Sequence, residues 1–383
     1  MPSLTAGKKT ILHIIPSLRQ GGAEKILSTV VTQTTEAYAH HIVTLLDDPP
    51  FFDLGAADLS RVSMHRSQLD IGAIGRLARA VDQVRPALIH TWMYHANFLS
   101  MFLLGRAVPI LWSIHNTNLS KTHSRFRTRC INAAGVGLSY FVPDLIAYCS
   151  KSAKDVHEGI GYASRKSRLI ENGVAVSDLF PDRALRQTSR RGLALADTDV
   201  VVCSLARFDP QKDHDTLLDA IARSRVNVPH LRLLLVGSGC EPQNQPLVDA
   251  LRRSGLMDCT LLLGERRDIN GILNASDLLV VSSAFGEAMP LAVLEAAAVG
   301  LPVVSTAIGD IAGLNLADAI VPVQEPAQLA NAIAAFATKA YPAETSAAKR
   351  RLVESRFSAD RMLSSYDETY RTLLASTNGR VPG

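Results

Sequence analysis

Cysteine is scarce in this 383-residue chain: there are five, an odd number, and none forms a CxxC pair. That argues against a disulfide scaffold and a zinc knuckle, and makes a reducing compartment the natural setting. Aromatic residues make up only 5%, and alanine and leucine fill an apolar share of 47%. Charged residues stand at 20%, so a large core is affordable and global disorder is excluded. Long apolar runs are scarce too. The longest early stretch free of Asp, Glu, Lys and Arg is 86–105, long enough for a bilayer at about 20 residues. It contains Pro86, His90, His95 and Asn97, and reads better as strand, loop and buried helix. The start, MPSLTAGKKT, has no apolar stretch ahead of a small-residue cleavage site, so no secretory signal is expected. No solenoid-length repeat and no low-complexity segment is present.

Net charge is nearly absent: 40 Lys and Arg against 36 Asp and Glu give +4. The distribution is uneven. Residues 1–178 carry 19 basic and 13 acidic residues, or +6, and 179–383 carry 21 and 23, or −2. Between Asp82 and Asp144 there is no acid, but there are Arg85, Arg106, Lys121, Arg125, Arg127 and Arg129. A basic first half points to an anionic partner there. No feature points to nucleic acid.

Strand-like apolar runs alternate with helical patterns. In the first half the expected strands are 10–16, 41–46, 87–91, 110–114 and 144–149, with helices such as 23–35 and 74–84. In the second half they are 200–205, 232–236, 260–263, 278–282 and 302–305, with helices 213–224, 245–254, 290–299 and 328–338. Alternating βα units imply parallel sheets. Ten strands in two series predict two doubly wound, Rossmann-like domains facing a cleft. The expected division is 1–178, 179–358, and a last helix with tail over 359–383, with the linker in the polar stretch 170–191. Ligands of such sheets bind beyond the carboxyl ends of strands, so the loops there carry the candidates.

Gly21 and Gly22 follow the first strand and open a helix. Glycine lets a ligand approach the backbone, and a helix start favours an anion; an ordinary βα turn is the plain alternative. Arg207 and Lys212 share a short loop after the strand 200–205, where two cations suit a diphosphate, or are simply solvated. Asp213-His214-Asp215 has the form of a metal-binding DxD, but Asp213 sits where a helix N-cap belongs. In FGEAMPLAVLE, Glu287 lies in a loop and Glu295 on the following helix, whose start near Met289, Pro290 and Leu291 offers free N–H groups. The two carboxylates could bracket a diphosphate, one reaching sugar hydroxyls and the other a ribose. A carboxylate in so apolar a stretch is costly without partners, which favours a role for Glu295. His115 ends the strand of ILWSIH and is placed to face the cleft; His90 and His95 are weaker candidates. Gly237-Ser238-Gly239 lacks the third glycine of a dinucleotide fingerprint. The segment 121–141 mixes Lys121, Arg125, Arg127 and Arg129 with Phe126, Tyr140 and Phe141. It reads either as a basic amphipathic surface for anionic lipid or as a helix with a solvated basic face.

Taken together these segments resemble the retaining glycosyltransferases of family 4, enzymes of GT-B fold, over nearly the whole chain. The matching pieces are ILHIIPSLRQGGAEK, HTWMYHANFLSM with SIHNTN, ENGV, SLARFDPQKDHDTLLDA, LLLVGSG, LLGERRDINGILNASDLLVVSS and FGEAMPLAVLEAAAVGLPVVST. The Arg207/Lys212 loop followed by Glu287-x7-Glu295 is the specific part, and the character is that of bacterial surface-polysaccharide enzymes. The resemblance implies a metal-independent transfer from a nucleotide-diphosphate sugar, a UDP-sugar rather than a GDP-sugar, with no cofactor. The acceptor would be a glycan, linked to a polyprenyl diphosphate. A cytoplasmic enzyme, peripheral on the inner face of the membrane, is implied. Gly21 and Gly22 would approach the donor phosphate, and Arg207 and Lys212 would bind the diphosphate. Glu287 would hold sugar hydroxyls, Glu295 the ribose, and the backbone at Met289–Leu291 a phosphate. Arg266 would lie near the base, and His115 near the reacting carbon and the acceptor. The last helix would cross back onto the first domain. The chain departs from the pattern in IGDIAGLNLADAIV, where members often carry a glutamate near Gly313 and a glycine-rich turn. Two rivals keep the fold: a nucleotide-sugar epimerase, and a non-catalytic sugar-nucleotide-binding protein.

Overall fold

A computed structural model describes residues 7–64, 70–117, 126–337, 339 and 341–376. The chain divides into two compact units. One runs from the amino terminus to Asn172 and resumes at Asp360; the other is Gly173–Ala359.

The first unit holds strands β1 (Lys9–Ile15), β2 (Tyr38–Thr44), β3 (Asp58–Arg61), β4 (Leu88–Trp92), β5 (Ile110–Ile114), β6 (Leu145–Tyr148) and β7 (Ser167–Leu169). They form one parallel sheet in the order β3-β2-β1-β4-β5-β6-β7. The second unit holds β8 (Val200–Leu205), β9 (Leu231–Val236), β10 (Thr260–Gly264), β11 (Leu278–Val281), β12 (Val303–Thr306) and β13 (Ala319–Val321). These are also parallel, in the order β10-β9-β8-β11-β12-β13. Both sheets are doubly wound, as expected.

The central strands β4, β5 and β11 are buried at every position, because helices cover both faces of a parallel sheet. The second unit shows the two faces directly. Val201 and Cys203 of β8 belong to one apolar cluster, and the intervening Val202 to another. Each fully buried Val or Leu stabilises the fold by about 1.5–3 kcal/mol, so these runs anchor the sheet. β3, β7 and β13 were not expected. They are edge strands of only three or four residues, largely half-exposed or exposed, too short to show a strand pattern.

The stretch 170–191 is not a plain linker. It contains the helix Arg183–Gly192, whose first N–H groups, on Ala184 and Leu185, donate to Asp182. Its buried residue is Arg190. The guanidinium donates to the carbonyls of Ala275 (3.0 Å), Ala196 (2.7 Å) and Asp199 (2.7 Å) and lies 3.3 Å from Asp277. A helix that buries an arginine shows no apolar stripe, so the polar sequence conceals it.

The segment entering the second unit and the one leaving it are bridged. Val174 N donates to Phe357 O (2.9 Å), and Ala359 N donates to Val174 O (2.9 Å). The terminal helix Ala359–Ser376 then returns to the first unit, as expected. It buries Tyr366 and Tyr370 there, and Tyr38 Oη donates to Asp367 (2.7 Å). Arg168 pairs with Glu368 at 2.5 Å.

Strand order reverses between β1 and β4 in the first unit and between β8 and β11 in the second. Ligands of open parallel sheets collect beyond the carboxyl ends of such strands, which directs attention to the loops after them.

Candidate functional site

In the second unit the loop after β8 carries Arg207 and Lys212, and the loop after β11 carries Glu287. The two loops are joined by hydrogen bonds. Ser282 Oγ donates to Lys212 O (2.7 Å), and Ala284 N donates to Gln211 O (2.9 Å). Lys212 Nζ forms an ion pair with Glu287 Oε1, and Ser283 Oγ donates to the same oxygen (2.9 Å). Glu287 is only 8% exposed, so the pair and the serine hydroxyl offset much of the cost of burying its charge. Arg207 is exposed, with Nε 3.6 Å from Asp209 Oδ2. The sequence-predicted cations and Glu287 are therefore brought together. Ser283 was missed, although its place directly after a strand was the available signal.

Local geometry explains why the loops hold these shapes. Asp213 caps the helix His214–Arg225: its carboxylate accepts from Thr216 N (3.2 Å) and Thr216 Oγ1 (2.7 Å). It does so with φ +48°, a left-handed conformation that aspartate tolerates better than most residues. His214 behind it is buried, and burial together with the charge of Lys212 lowers its imidazole to about 4.

Gly237 (φ +145°) is not part of a dinucleotide fingerprint. A Cβ there would strike Ala206 O and lie 2.8 Å from Arg207 N. The glycine lets the 206–208 loop rest on the turn after β9, where Phe208 N donates to Ser238 O (2.7 Å). Gly309, in the segment lacking the family's glutamate, has φ +52°. A Cβ on it would come within 2.5 Å of Ala288 O and 2.6 Å of Glu287 O. Asp310 N donates to Ala288 O (3.0 Å), so this segment braces the Glu287 backbone. Nothing in the sequence around this single glycine signals that task.

The helix Leu291–Val299 starts one residue later than expected, with Pro290 at the N-cap and no side-chain cap. Its first N–H groups and the positive end of its dipole therefore suit an anion. Met289 and Pro290 are buried, Leu291 is half-buried, and Glu295 is buried on the helix at 5% exposure. Arg266 is engaged locally, with Nε 2.8 Å and Nη2 2.6 Å from the Asp268 carboxylate.

In the first unit Gly21 is the N-cap of the helix Gly22–Gln33. A Cβ there would collide with the Glu24 carboxylate, which lies back over the helix start. His115 follows β5 and keeps a margin of solvent contact. Its ring stacks on Trp92, 5.4 Å between centroids at 20°. Burial lowers the imidazole to about 4, so it is neutral near pH 7. Its Nδ1 is buried and bonded to no group among the described residues. An unmatched buried nitrogen costs about 1–3 kcal/mol, and a bound hydroxyl would relieve that cost. His90 is fully buried and bonds Tyr370 and Ser113, a structural position.

Lys121 and Arg125 lie outside the described residues. Arg127 and Arg129 are on the helix Phe126–Leu138, the first exposed and the second half-buried. The exposed face of this helix is largely apolar or small, with Phe126 at one end and Phe141 just beyond the other, 74% and 80% exposed. Among the described residues no helix is long and apolar enough to cross a membrane. Among them, too, no cluster of three or more His, Cys, Asp and Glu could hold a metal ion.

Comparison with known proteins bears on this arrangement. The pattern of Glycosyltransferase Family 4 matches residues 20–178, and that of Glycosyl transferases group 1 matches residues 199–339. The Bacillus subtilis protein EpsF, itself assigned as a glycosyltransferase, is 22% identical over 78% of this chain and 79% of its own length. An Escherichia coli UDP-Gal:alpha-D-GlcNAc-diphosphoundecaprenol alpha-1,3-galactosyltransferase is 34% identical over 36% of this chain and 35% of its own. Other curated relatives are matched over far less of their own length, from 58% down to 23%. The crystal structure of Anabaena Alr3699/HepE with UDP-glucose superposes with a TM-score of 0.81 at 20% identity. That match covers 95% of this chain and 100% of the other, and at this identity it speaks for the fold, GT-B. With one pattern on each unit and a GT-B architecture around these strand-end loops, the chain belongs to glycosyltransferase family 4.

Proposed function

We propose that the protein transfers a hexosyl group from a UDP-sugar to a hydroxyl of a lipid-linked glycan, with retention at the anomeric carbon, in the assembly of a bacterial polysaccharide. The observation that carries this reading is the charge arrangement at the strand-order reversal of the second unit. Two cations, Arg207 and Lys212, share a loop tied to Glu287, which precedes the uncapped start of the helix Leu291–Val299. A diphosphate competes with Glu287 for Lys212 and takes the helix N–H groups as a second ligand. The freed carboxylate, still bonded by Ser283, then accepts from sugar hydroxyls. Glu295 serves the ribose and Arg266 the base side, once it leaves Asp268. The glycosidic C–O bond breaks toward the diphosphate, whose growing charge Arg207 and Lys212 stabilise without a metal ion. The acceptor oxygen attacks the same face, and its proton passes to the departing phosphate oxygen. His115, neutral and with an unmatched nitrogen, takes a hydroxyl near the reacting carbon; Gly21 and Gly22 admit the phosphate once Glu24 swings aside.

The names of relatives support the substrate classes. HepE has been crystallised with UDP-glucose, and the E. coli relative is named for a diphosphoundecaprenol-linked acceptor. The acid-free stretch with Arg127, Arg129, Phe126 and Phe141 supports an enzyme resting on anionic lipid at the inner face of the cell membrane.

The test is a thermal-shift screen of UDP- and GDP-sugars in EDTA, followed by NMR of the product formed on a polyprenyl-diphosphate-linked glycan. Stabilisation by UDP without magnesium and an α-linked product from an α-donor are expected. An inverted product sinks the retaining reading. Stabilisation by GDP alone sinks the donor assignment. Epimerised donor in the absence of acceptor replaces transfer with epimerisation.

A further inference from the structure

Trp92 ends β4 at the strand-order reversal of the first unit and is fully buried. It makes two different kinds of contact. A face of the indole stacks on His115, and the indole N–H donates to His13 Nδ1 (3.2 Å). The second contact fixes a series of protons. An indole nitrogen only donates, so His13 Nδ1 accepts and its Nε2 carries the hydrogen. His13 Nε2 therefore donates to His40 Nδ1 (3.0 Å), which leaves the His40 hydrogen on Nε2. His40 Nε2 donates to Thr34 Oγ1 (2.8 Å), and the threonine hydroxyl donates to Val30 O (2.7 Å). The chain closes only with both imidazoles neutral. A proton added at His13 Nδ1 would face the indole N–H, and one added at His40 Nδ1 would face the N–H of His13.

The groups packed around this chain are consistent with neutrality. His90 lies 4.2 Å from Trp92 between ring centroids and bonds Tyr370 Oη (2.8 Å) and Ser113 Oγ (2.6 Å). Tyr366 is 6.0 Å from Trp92, and Tyr38 meets His40 edge-on. The charges on the terminal helix, Asp367 and Arg371, pair with each other at 2.9 Å. Burial lowers His40 to about 4, and holds His13 and His90 well below their ordinary range.

The backbone supplies an independent sign of constraint. Met93, next to Trp92, has φ +72°, a left-handed conformation costing about 1–3 kcal/mol in a residue with a side chain. Such a conformation persists where neighbouring contacts over-determine it. His115 has no comparable tether: its Nδ1 is unbonded among the described residues, and the indole stack is what orients its ring.

We propose that Trp92 is the positioning residue of His115. Locked by its proton-ordered chain through His13 and His40 to Thr34, the indole holds the imidazole in the orientation that transfer requires. This rests on the role given to His115 above.

A double-mutant cycle tests it. Trp92→Phe keeps a ring but drops the N–H, and Trp92→Leu removes the stacking face. Transfer kcat falls about 3–10-fold in the first and on the order of 100-fold in the second, the scale of an ångström-sized misplacement. UDP binding and the donor KM stay within about twofold, since neither substitution touches Arg207, Lys212 or Glu287, the charged donor groups. Neither substitution lowers kcat further once His115 is alanine. The His115 Hε1 resonance, identified by its loss in His115→Ala, moves in both Trp92 variants. Equal fractional losses with and without His115, or an unmoved resonance, overturn the proposal. If His115→Ala itself leaves kcat unchanged, the catalytic reading of His115 fails, and the positioning role goes with it. Should Trp92→Leu fail to fold, Trp92→Phe decides by the same comparison.

Discussion

The two units share a sheet topology and treat polar groups in opposite ways. In the second, the strand-end loops at the reversal carry full charges: Arg207 is exposed, Lys212 half-buried, and Glu287 buried but paired with Lys212. In the first, the corresponding region is built of neutral rings: His13, His40, His90 and His115 among Trp92, Tyr366 and Tyr370. The contrast fits the roles proposed for the two units. A diphosphate is held by charge and by helix N–H groups, which tolerate water on one side. A hydroxyl is oriented by a fixed neutral donor or acceptor, and in a dry interior the imidazole stays uncharged because desolvation lowers its pKa. A buried charge without a partner would cost more than the ring network can return.

The largest effect that could break this contrast is loss of a cation from the charged side. Lys212→Ala lowers transfer kcat about 100- to 1000-fold, the usual loss for one donor to a developing charge, read as UDP release. Retention of near-native kcat would show that the charged loops are not the site of chemistry.

A smaller effect sharpens the contrast through pH. In the first unit His13, His40, His90, His115 and His157 all have imidazoles lowered by burial, three of them to about 4. For a group depressed on folding, the unfolded chain binds more protons between the folded value and about 6.5. The stability is complete above 6.5 and drains away as pH falls toward 4. Each of the three lowered to about 4 costs on the order of 2 kcal/mol of stability at pH 5 relative to pH 7. The second unit has His214 in the same state, so it loses far less. Both tryptophans, Trp92 and Trp112, are in the first unit, so their fluorescence in urea reports that unit. The midpoint drops from pH 7 to pH 5 by this signal, ahead of amide-exchange protection in β8 and β11. Coincident loss in both units would erase the distinction.

The smallest change concerns the surface. Arg127→Gln with Arg129→Gln shifts stability by no more than about 0.5 kcal/mol, as surface changes do. It weakens flotation with anionic vesicles while leaving donor binding as it was. Unchanged flotation removes the lipid contact from the proposal.

Much of the arrangement was legible in the residues. Runs such as VVVCSL and LLVV mark buried parallel strands because both faces of such strands are dry. Arg207, Lys212 and Glu287 could be singled out because they lie on loops beyond the carboxyl ends of parallel strands, where such sheets bind ligands. Other features were not legible. The helix Arg183–Gly192 hides behind its own polarity, because its buried side chain is Arg190. The strand β13 is too short to show a pattern. Asp318 and Tyr341, both half-buried, gather around the buried Lys349, with Lys349 Nζ 2.6 Å from Asp318 and Tyr341 Oη 2.6 Å from the same carboxylate. No spacing in the chain brings those three together.

By itself the sequence determined two doubly wound sheets, the family, and the charged loops of the second unit, because those rest on local pattern and on residue types whose burial is costly. Only the tertiary structure decided that Lys212 is paired with Glu287, that Gly309 braces its backbone, and that Trp92 meets His115 and His13. Those contacts join strands and loops distant in the chain. Their hydrogens are ordered by partners that no single segment contains.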